Sequence, residues 1–271
     1  MKLKSLFLVV AMLQLLAVQA QEVLNETDAK GRKQGTWVKY YENEDGKEQE
    51  RYRGQFKDDK PVGTFFYYYE EGQKSSEVTY EGEDGTTSNA IFFHKNGTIM
   101  AEGKYINQKK VGVWKYYDDQ TILSSVDPYK DGLLHGMSKV YFLNGQLAAE
   151  TPYIDGLKNG DFVEYFSDGT VKMKGTYQDN TYTGKYVQNY PDRKVMVEGE
   201  YKAAVKDGLW KYFADDGRLK AQQVYETGKL IKEKVEPGFE MEEVPIEIEE
   251  KDKIDEGKLL DEYYKESEQG R

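Results

Sequence analysis

The apolar positions of this chain recur in a fixed phrase. GVWKYYDDQ at residues 112–120 returns as GMSKVYFLNG from Gly136, GDFVEYFSDG from Gly160, GKYVQNYPD from Gly184 and GLWKYFADDG from Gly208, with leading glycines 24 residues apart. Upstream, GTWVKYY opens at Gly35, GTFFYYYEEG at Gly63 and the degenerate SNAIFFHKNG at Ser88, at steps of 28, 25 and 24 residues, so the early loops carry insertions. Eight copies define a repeat architecture, and each local motif is read within it.

The columns of the repeat describe its unit. Two residues after each leading position stand Trp37, Phe65, Ala90, Trp114, Ser138, Phe162, Tyr186 and Trp210. Five residues after it stand Tyr40, Tyr68, Phe93, Tyr117, Tyr141, Tyr165, Asn189 and Phe213. Nine residues after it, five copies place a glycine, four of them behind Asn or Asp (Asn96, Asn144, Asp168, Asp216), a pair that tolerates positive φ in a tight hairpin turn. Another aromatic (Phe56, Tyr105, Tyr129, Tyr153, Tyr177, Tyr201, Tyr225) precedes the next leading position by seven residues in most copies. The unit is an aromatic strand, a turn, a second strand ending near a tyrosine, and a Gly/Asp-rich turn back.

Strands are favoured over helices because aromatic and β-branched residues fill the phrases and turn signals arrive about every 12 residues. No apolar stripe of helical period persists either. The predicted fold is all-β, an elongated array of about eight antiparallel hairpins in one curved sheet. Two strands per repeat at ~4.8 Å give a length of about 80 Å. Trp114 and Tyr116 should share one face while Tyr117 takes the other, so either both faces carry rings or a bulge intervenes.

The predicted organisation is a signal peptide at 1–20, a polar lead-in at 21–34, repeats at 35–232 and an acidic tail or cap at 233–271. Lys2 and Lys4 start the signal, Leu6 to Val18 is apolar apart from Gln14, and Val18-Gln19-Ala20 offers small residues for cleavage before Gln21. The apolar run is shorter than the ~20 residues that span a bilayer, which favours export over anchoring, with no transmembrane segment left after cleavage. The expected location is periplasmic or secreted. In the tail, Val244 to Ile248 alternates apolar and acidic as an edge strand would, and Asp255 to Glu268 sets Leu259, Leu260, Tyr263 and Tyr264 at helical spacing. The tail is thus a cap on an open sheet end or a disordered acidic segment.

Composition narrows the function. Hydrophobic residues make up 38% of the chain, yet 23 residues are tyrosine, so rings rather than aliphatics must cover the sheet. The absence of cysteine removes disulfides, thiol nucleophiles and cysteine zinc sites. Removing the signal moves the net charge from −11 to −13, and residues 233–271 hold 15 acidic against 6 basic residues. The repeats are therefore nearly balanced, with no basic footprint for nucleic acid.

Candidate chemistry is sparse. His94 and His135 sit in predicted loops with no second histidine nearby, and are expected to be solvated. The acidic pairs Asp58-Asp59, Asp118-Asp119 and Asp215-Asp216 recur at turns, which suits turn formation better than an asymmetric catalytic site or a calcium loop. No G-x-S-x-G elbow, phosphate loop or H-E-x-x-H helix occurs. The expectation is no enzyme, no cofactor and no metal site. The residues singled out for binding or packing are the rings Trp37, Tyr40, Phe65, Tyr68, Trp114, Tyr117, Tyr141, Phe162, Tyr165, Tyr186, Trp210 and Phe213.

The GxWxxY phrase, the D-G turn and the Tyr-x-x-Gly-x-x-x-Gly return, whole at Tyr129–Gly136 and Tyr153–Gly160, give the chain a resemblance to the bacterial MORN-repeat-variant proteins, often labelled antitoxin-like. The resemblance covers about residues 31–230. It implies a curved sheet of successive hairpins and a scaffold for protein–protein interaction, while export argues against a cytoplasmic antitoxin. Ala90, Ser138 and Asn189 in place of aromatics, and Ser88 in place of the leading glycine, depart from the pattern. A looser similarity, to choline-binding and cell-wall-binding repeats, implies the alternative of an envelope glycan binder working through exposed rings. The expected partner is a protein, or else cell-wall glycan.

Overall fold

The structure is a computed structural model that describes residues 23–41 and 48–240. The signal peptide, the strand at Val244–Ile248 and the helix at Asp255–Glu268 lie outside the described residues.

The strands follow the chain. First come β1 (Glu26–Thr27), β2 (Lys33–Tyr40), β3 (Glu50–Lys57), β4 (Lys60–Tyr68), β5 (Lys74–Glu81), β6 (Thr87–Phe93) and β7 (Ile99–Ile106). In the centre are β8 (Lys109–Tyr117), β9 (Leu123–Lys130), β10 (Leu133–Leu134), β11 (Gly136–Tyr141), β12 (Leu147–Ile154), β13 (Leu157–Lys158) and β14 (Gly160–Tyr165). The array ends with β15 (Val171–Gln178), β16 (Thr181–Asn189), β17 (Val195–Lys202), β18 (Val205–Phe213), β19 (Leu219–Glu226) and β20 (Lys229–Val235). All belong to one antiparallel sheet in which each strand pairs with its neighbours in sequence, and the two ends are not joined. β10 and β11, like β13 and β14, are two pieces of one row, interrupted at His135 and Asn159.

Two turn types alternate along the edges. After the first strand of a repeat, a type I turn closes with a left-handed residue: Phe166 N–H donates to Thr170 O, Gly169 N–H to Phe166 O, and Asp168 Oδ1 accepts from Thr170 N–H at 2.9 Å. After the second strand come two-residue turns with both φ values positive, such as Asn107-Gln108 (49° and 64°) and Asp179-Asn180 (48° and 67°). That geometry matches the strand twist and explains the Asp and Asn at these sites. Ala203-Ala204 adopts it too, at 48° and 68°, without a side chain suited to it.

The leading glycine of the repeat makes a bulge. Across β7 and β8 the register runs from Lys104↔Val111 to Glu102↔Lys115, so Gly112, Val113 and Trp114 stand opposite Gly103 alone. Gly112 takes φ 67°, which turns Trp114 inward over the bare backbone of Gly103. A methyl group on Gly103 would lie 2.3 Å from the indole. The displaced backbone is recovered, because Trp114 Nε1 donates to Lys104 O at 3.2 Å. Trp210 repeats the device over Gly199, donating to Glu200 O at 3.1 Å. Where Ser88 replaces the leading glycine, β5 and β6 pair without a break and Val78 faces Ala90. The hairpin survives the substitution; the bulge does not.

This settles how the rings divide. Residues two and four past the leading position, with alternate residues of the second strand, form one ring-covered face. Ordinary strand alternation puts the fifth-position ring on the opposite face. The register shift between Tyr116 and Tyr117, repeated in the other hairpins built like it, leaves its extra residue on the second strand, at Ser124. Both faces therefore carry rings.

The ends differ from the expected boundaries. The lead-in is an edge cap: β1 pairs with β2, and Asn25 Oδ1 accepts from Val38 N–H at 2.8 Å. At the other end β20 runs on to Val235, past the expected limit at 232, before a turn in which Phe239 N–H donates to Glu236 O at 3.2 Å. Small-angle scattering by residues 21–240, measured as a monomer, should give a radius of gyration above about 20 Å; a compact globule of that length would give about 17 Å.

Candidate interaction surfaces

The rings singled out in the sequence fall into two groups. Those of the second position line the ring-covered face, where Phe65, Trp114, Phe162, Tyr186 and Trp210 are buried and Trp37, near the N-terminal edge, is half-buried. Those of the fifth position, Tyr40, Tyr68, Tyr117, Tyr141, Tyr165 and Phe213, are half-buried on the other side. Trp114 and Trp210 are 0% and 1% exposed, so they present no open ring to a ligand.

The ring-covered face is sealed by edge-to-face contacts. Tyr105 meets Trp114 and Tyr201 meets Trp210, each with centroids 4.9 Å apart and steeply inclined planes. Lysines close the outside. Lys110 Nζ lies 4.4 Å from the Trp114 ring centre and 5.3 Å from those of Tyr116 and Tyr129, and donates to Tyr116 Oη. Lys206 stands the same way among Trp210, Tyr212 and Tyr225. Each ammonium neutralises ring quadrupoles that would otherwise face water.

The buried rings divide into two clusters, in the middle of the array. One cluster gathers around Phe65 and Trp114 and the other around Phe162 and Trp210. Between them Asp127 holds the place of the glycine and Ser138 that of the ring. Ser138 Oγ donates to Asp127 Oδ1, Ser125 Oγ lies 3.4 Å from Oδ2, and Asp127 is 7% exposed. The exchange conserves fit, since a ring has no room over an aspartate and the serine hydroxyl satisfies the buried carboxylate. The paired departures of Asp127 and Ser138 from their columns were the available signal.

The opposite face carries a periodic set of ion pairs. Lys115, Lys139 and Lys211 pair across strands with Glu102, Glu150 and Glu198 at 3.3, 3.2 and 2.8 Å. Tyr117 Oη donates to Glu102 at 2.9 Å and Tyr165 Oη to Glu150 at 3.0 Å. These exposed pairs add little stability individually. Along the type I turns, Tyr41, Tyr69 and Tyr190 each donate a hydroxyl to the backbone of the next repeat, at Tyr68 O, Phe93 O and Phe213 O. His94, expected to be solvated, occupies the same column, and its Nε2 lies 3.1 Å from Tyr117 O. His135 Nδ1 meets Asp155 Oδ1 at 3.1 Å. Among the described residues no group of three or more His, Asp or Glu is placed to hold a metal ion.

The family model described as MORN repeat variant matches residues 61–81, 134–155 and 158–179, which are three of the hairpins. No curated protein matches the chain. Among solved structures, the crystal structure of TarM is similar over 33% of this chain and 18% of its own, at 14% identity and a TM-score of 0.26. The GtfA/B complex bound to UDP and GlcNAc is similar over 46% and 24%, at 16% identity and 0.19. A TcdB2-TccC3-Cdc42 structure is similar over 73% and 16%, at 11% identity and 0.20. The chain thus spans less than a quarter of each of these proteins.

Burial of the hydroxyls links the fold to pH. Burial pushes Tyr201 up to about 12, and burial with the Glu102 carboxylate pushes Tyr117 up to about 12; burial also raises Tyr177, Tyr186 and Tyr212. A folded-state pKa above the unfolded value of 10.0 contributes stability that is complete below pH 10 and lost as the pH rises through 12. Titration followed at 295 nm and by circular dichroism should show these tyrosines ionising late and together with loss of the sheet. Ionisation of every tyrosine near pH 10 with the sheet intact would contradict the packing.

Proposed function

We propose that the chain is an exported, non-catalytic repeat scaffold that holds a protein partner, all eight hairpins being MORN-variant repeats. The observation that carries the reading is the asymmetry of the sheet's ends. At the first end β1 and Asn25 cover β2. At the last, β20 pairs with β19 alone among the described residues, and Lys229 to Lys234 are all exposed. Such a strand offers backbone groups to an extended segment of another protein. Leu230 and Ile231 are exposed along it, and Lys229, Lys232 and Lys234 outnumber Glu233, which suits an acidic segment of alternating polarity. The rigid array behind it, each repeat fixed by its neighbours, supplies the support. The glycan alternative draws no support from Trp114 and Trp210, because both are buried.

Capture from the extracytoplasmic fraction of the source cells tests this. The mature chain, beginning at Gln21 by N-terminal sequencing, should recover one defined protein. A Leu230→Asp/Ile231→Asp variant with an unchanged circular dichroism spectrum should recover it at least about tenfold less well. Equal recovery by the variant, or retention of glycan alone, would overturn the reading.

A further inference from the structure

On the face opposite the buried rings, one row of side chains crosses the sheet at the first position past the leading residue and its cross-strand partner. In order it reads Thr36, Gln55, Thr64, Thr79, Asn89, Lys104, Val113, Pro128, Met137, Pro152, Asp161, Thr176, Lys185, Glu200, Leu209 and Val224. The four central places are apolar. Thr64 and Thr79 share a hydrogen bond, and Thr176 Oγ1 donates to Asp161, so the flanks are polar by construction. Ile106, Leu133, Ile154 and Leu157 widen the patch toward the two-residue turns, and with Val113 and Met137 each is more than two-fifths exposed. The patch covers about six strands, or roughly 24 Å. Pro128 and Pro152 fit beside Gly136 and Gly160, where an added methyl would lie 3.0 Å from each proline ring, so the bulges accommodate prolines that an unbroken central strand would exclude.

We propose that this patch is the contact of a homodimer, a second copy of the chain packing on it about a two-fold axis that runs parallel to the strands between Pro128 and Met137. The row itself argues for that occupant. Rotation about such an axis reverses the row on itself, because the apolar block occupies its centre. Val113 then meets the partner copy's place 152, Pro128 meets place 137, and Lys104 on one flank meets the aspartate place 161 on the other. Within its own chain Lys104 also pairs with Glu81 at 2.9 Å, and Asp161 accepts from Thr176, so the contact between copies adds to charges already set on the flanks. Opposite charges therefore meet at both flanks and nothing like-charged is opposed in the central ten places. Self-complementarity of this kind is what an isologous interface requires, with an apolar centre and a polar rim. β20 lies outside the patch, so the dimer and the partner site do not compete.

Sedimentation of the chain from Gln21 over micromolar concentrations tests the proposal. The wild type should sediment at twice its monomer mass. Met137→Glu should raise the dissociation constant at least about tenfold, and Leu143→Asp, an exposed residue in a type I turn, should leave it unchanged. Lys104→Asp and Asp161→Lys should each weaken the dimer by about three- to tenfold, and the two together should restore it, since each copy then offers the swapped pair. Circular dichroism checks that every variant keeps its sheet. A wild-type monomer at 100 μM concentration (about the upper limit for a specific dimer), a dimer indifferent to Met137→Glu, or additive loss in the double swap would overturn it.

Discussion

The sheet depends on an aromatic ring laid over a backbone with no side chain. A single-layer sheet has no second layer to bury its apolar face, and this chain has few aliphatic residues with which to thicken one. The bulges at Gly63, Gly112 and Gly208 set Phe65, Trp114 and Trp210 over the glycine of the neighbour before them, so one ring serves two strands at once. Trp114 over Gly103 and Trp210 over Gly199 show the complete form, with the indole N–H returning to the carbonyl that the bulge displaces. The same step fixes register, because a strand carrying three residues against one cannot slide without losing the ring's seat.

The period, the hairpins, the strand order and the turn residues were legible in the sequence, since each rests on local chemistry repeated eight times. The bulge was not, because a glycine with positive φ and one that makes room for a ring look alike as letters. Gly112 is the first kind and Gly103 the second, and only their places on facing strands tell them apart. The ring columns and their division between two faces were legible, because Trp114 and Tyr117 stand an odd number of residues apart, but which face is sealed was not. His94 looked solvated because its partner, the carbonyl of Tyr117, belongs to the next repeat. The exchange of Gly and ring for Asp127 and Ser138 needed the pairing before two isolated departures became one fitted contact.

The central repeats reverse the polarity of the rest. Elsewhere one face is packed with rings and the other is mostly polar until Leu209 and Val224 near the last strands. Around β9 to β12 the ring face turns polar at Asp127 and Ser138, while the other turns apolar at Pro128, Met137 and Pro152. The Asp127–Ser138 pair stands between the two ring clusters, with the apolar strip on the other side of the same strands. The two ends are free of that arrangement, one capped by the lead-in and the other, among the described residues, ending at β20.

The most direct test is a double-mutant cycle on Gly103 and Trp114, read by urea denaturation. If the ring's seat is the central contact, Gly103→Ala should cost about 1–3 kcal/mol in the wild type. The same change should cost little once Trp114→Ala has removed the ring, a coupling of at least about 1 kcal/mol. Additive losses would show that the glycine and the ring act separately, and would contradict the account.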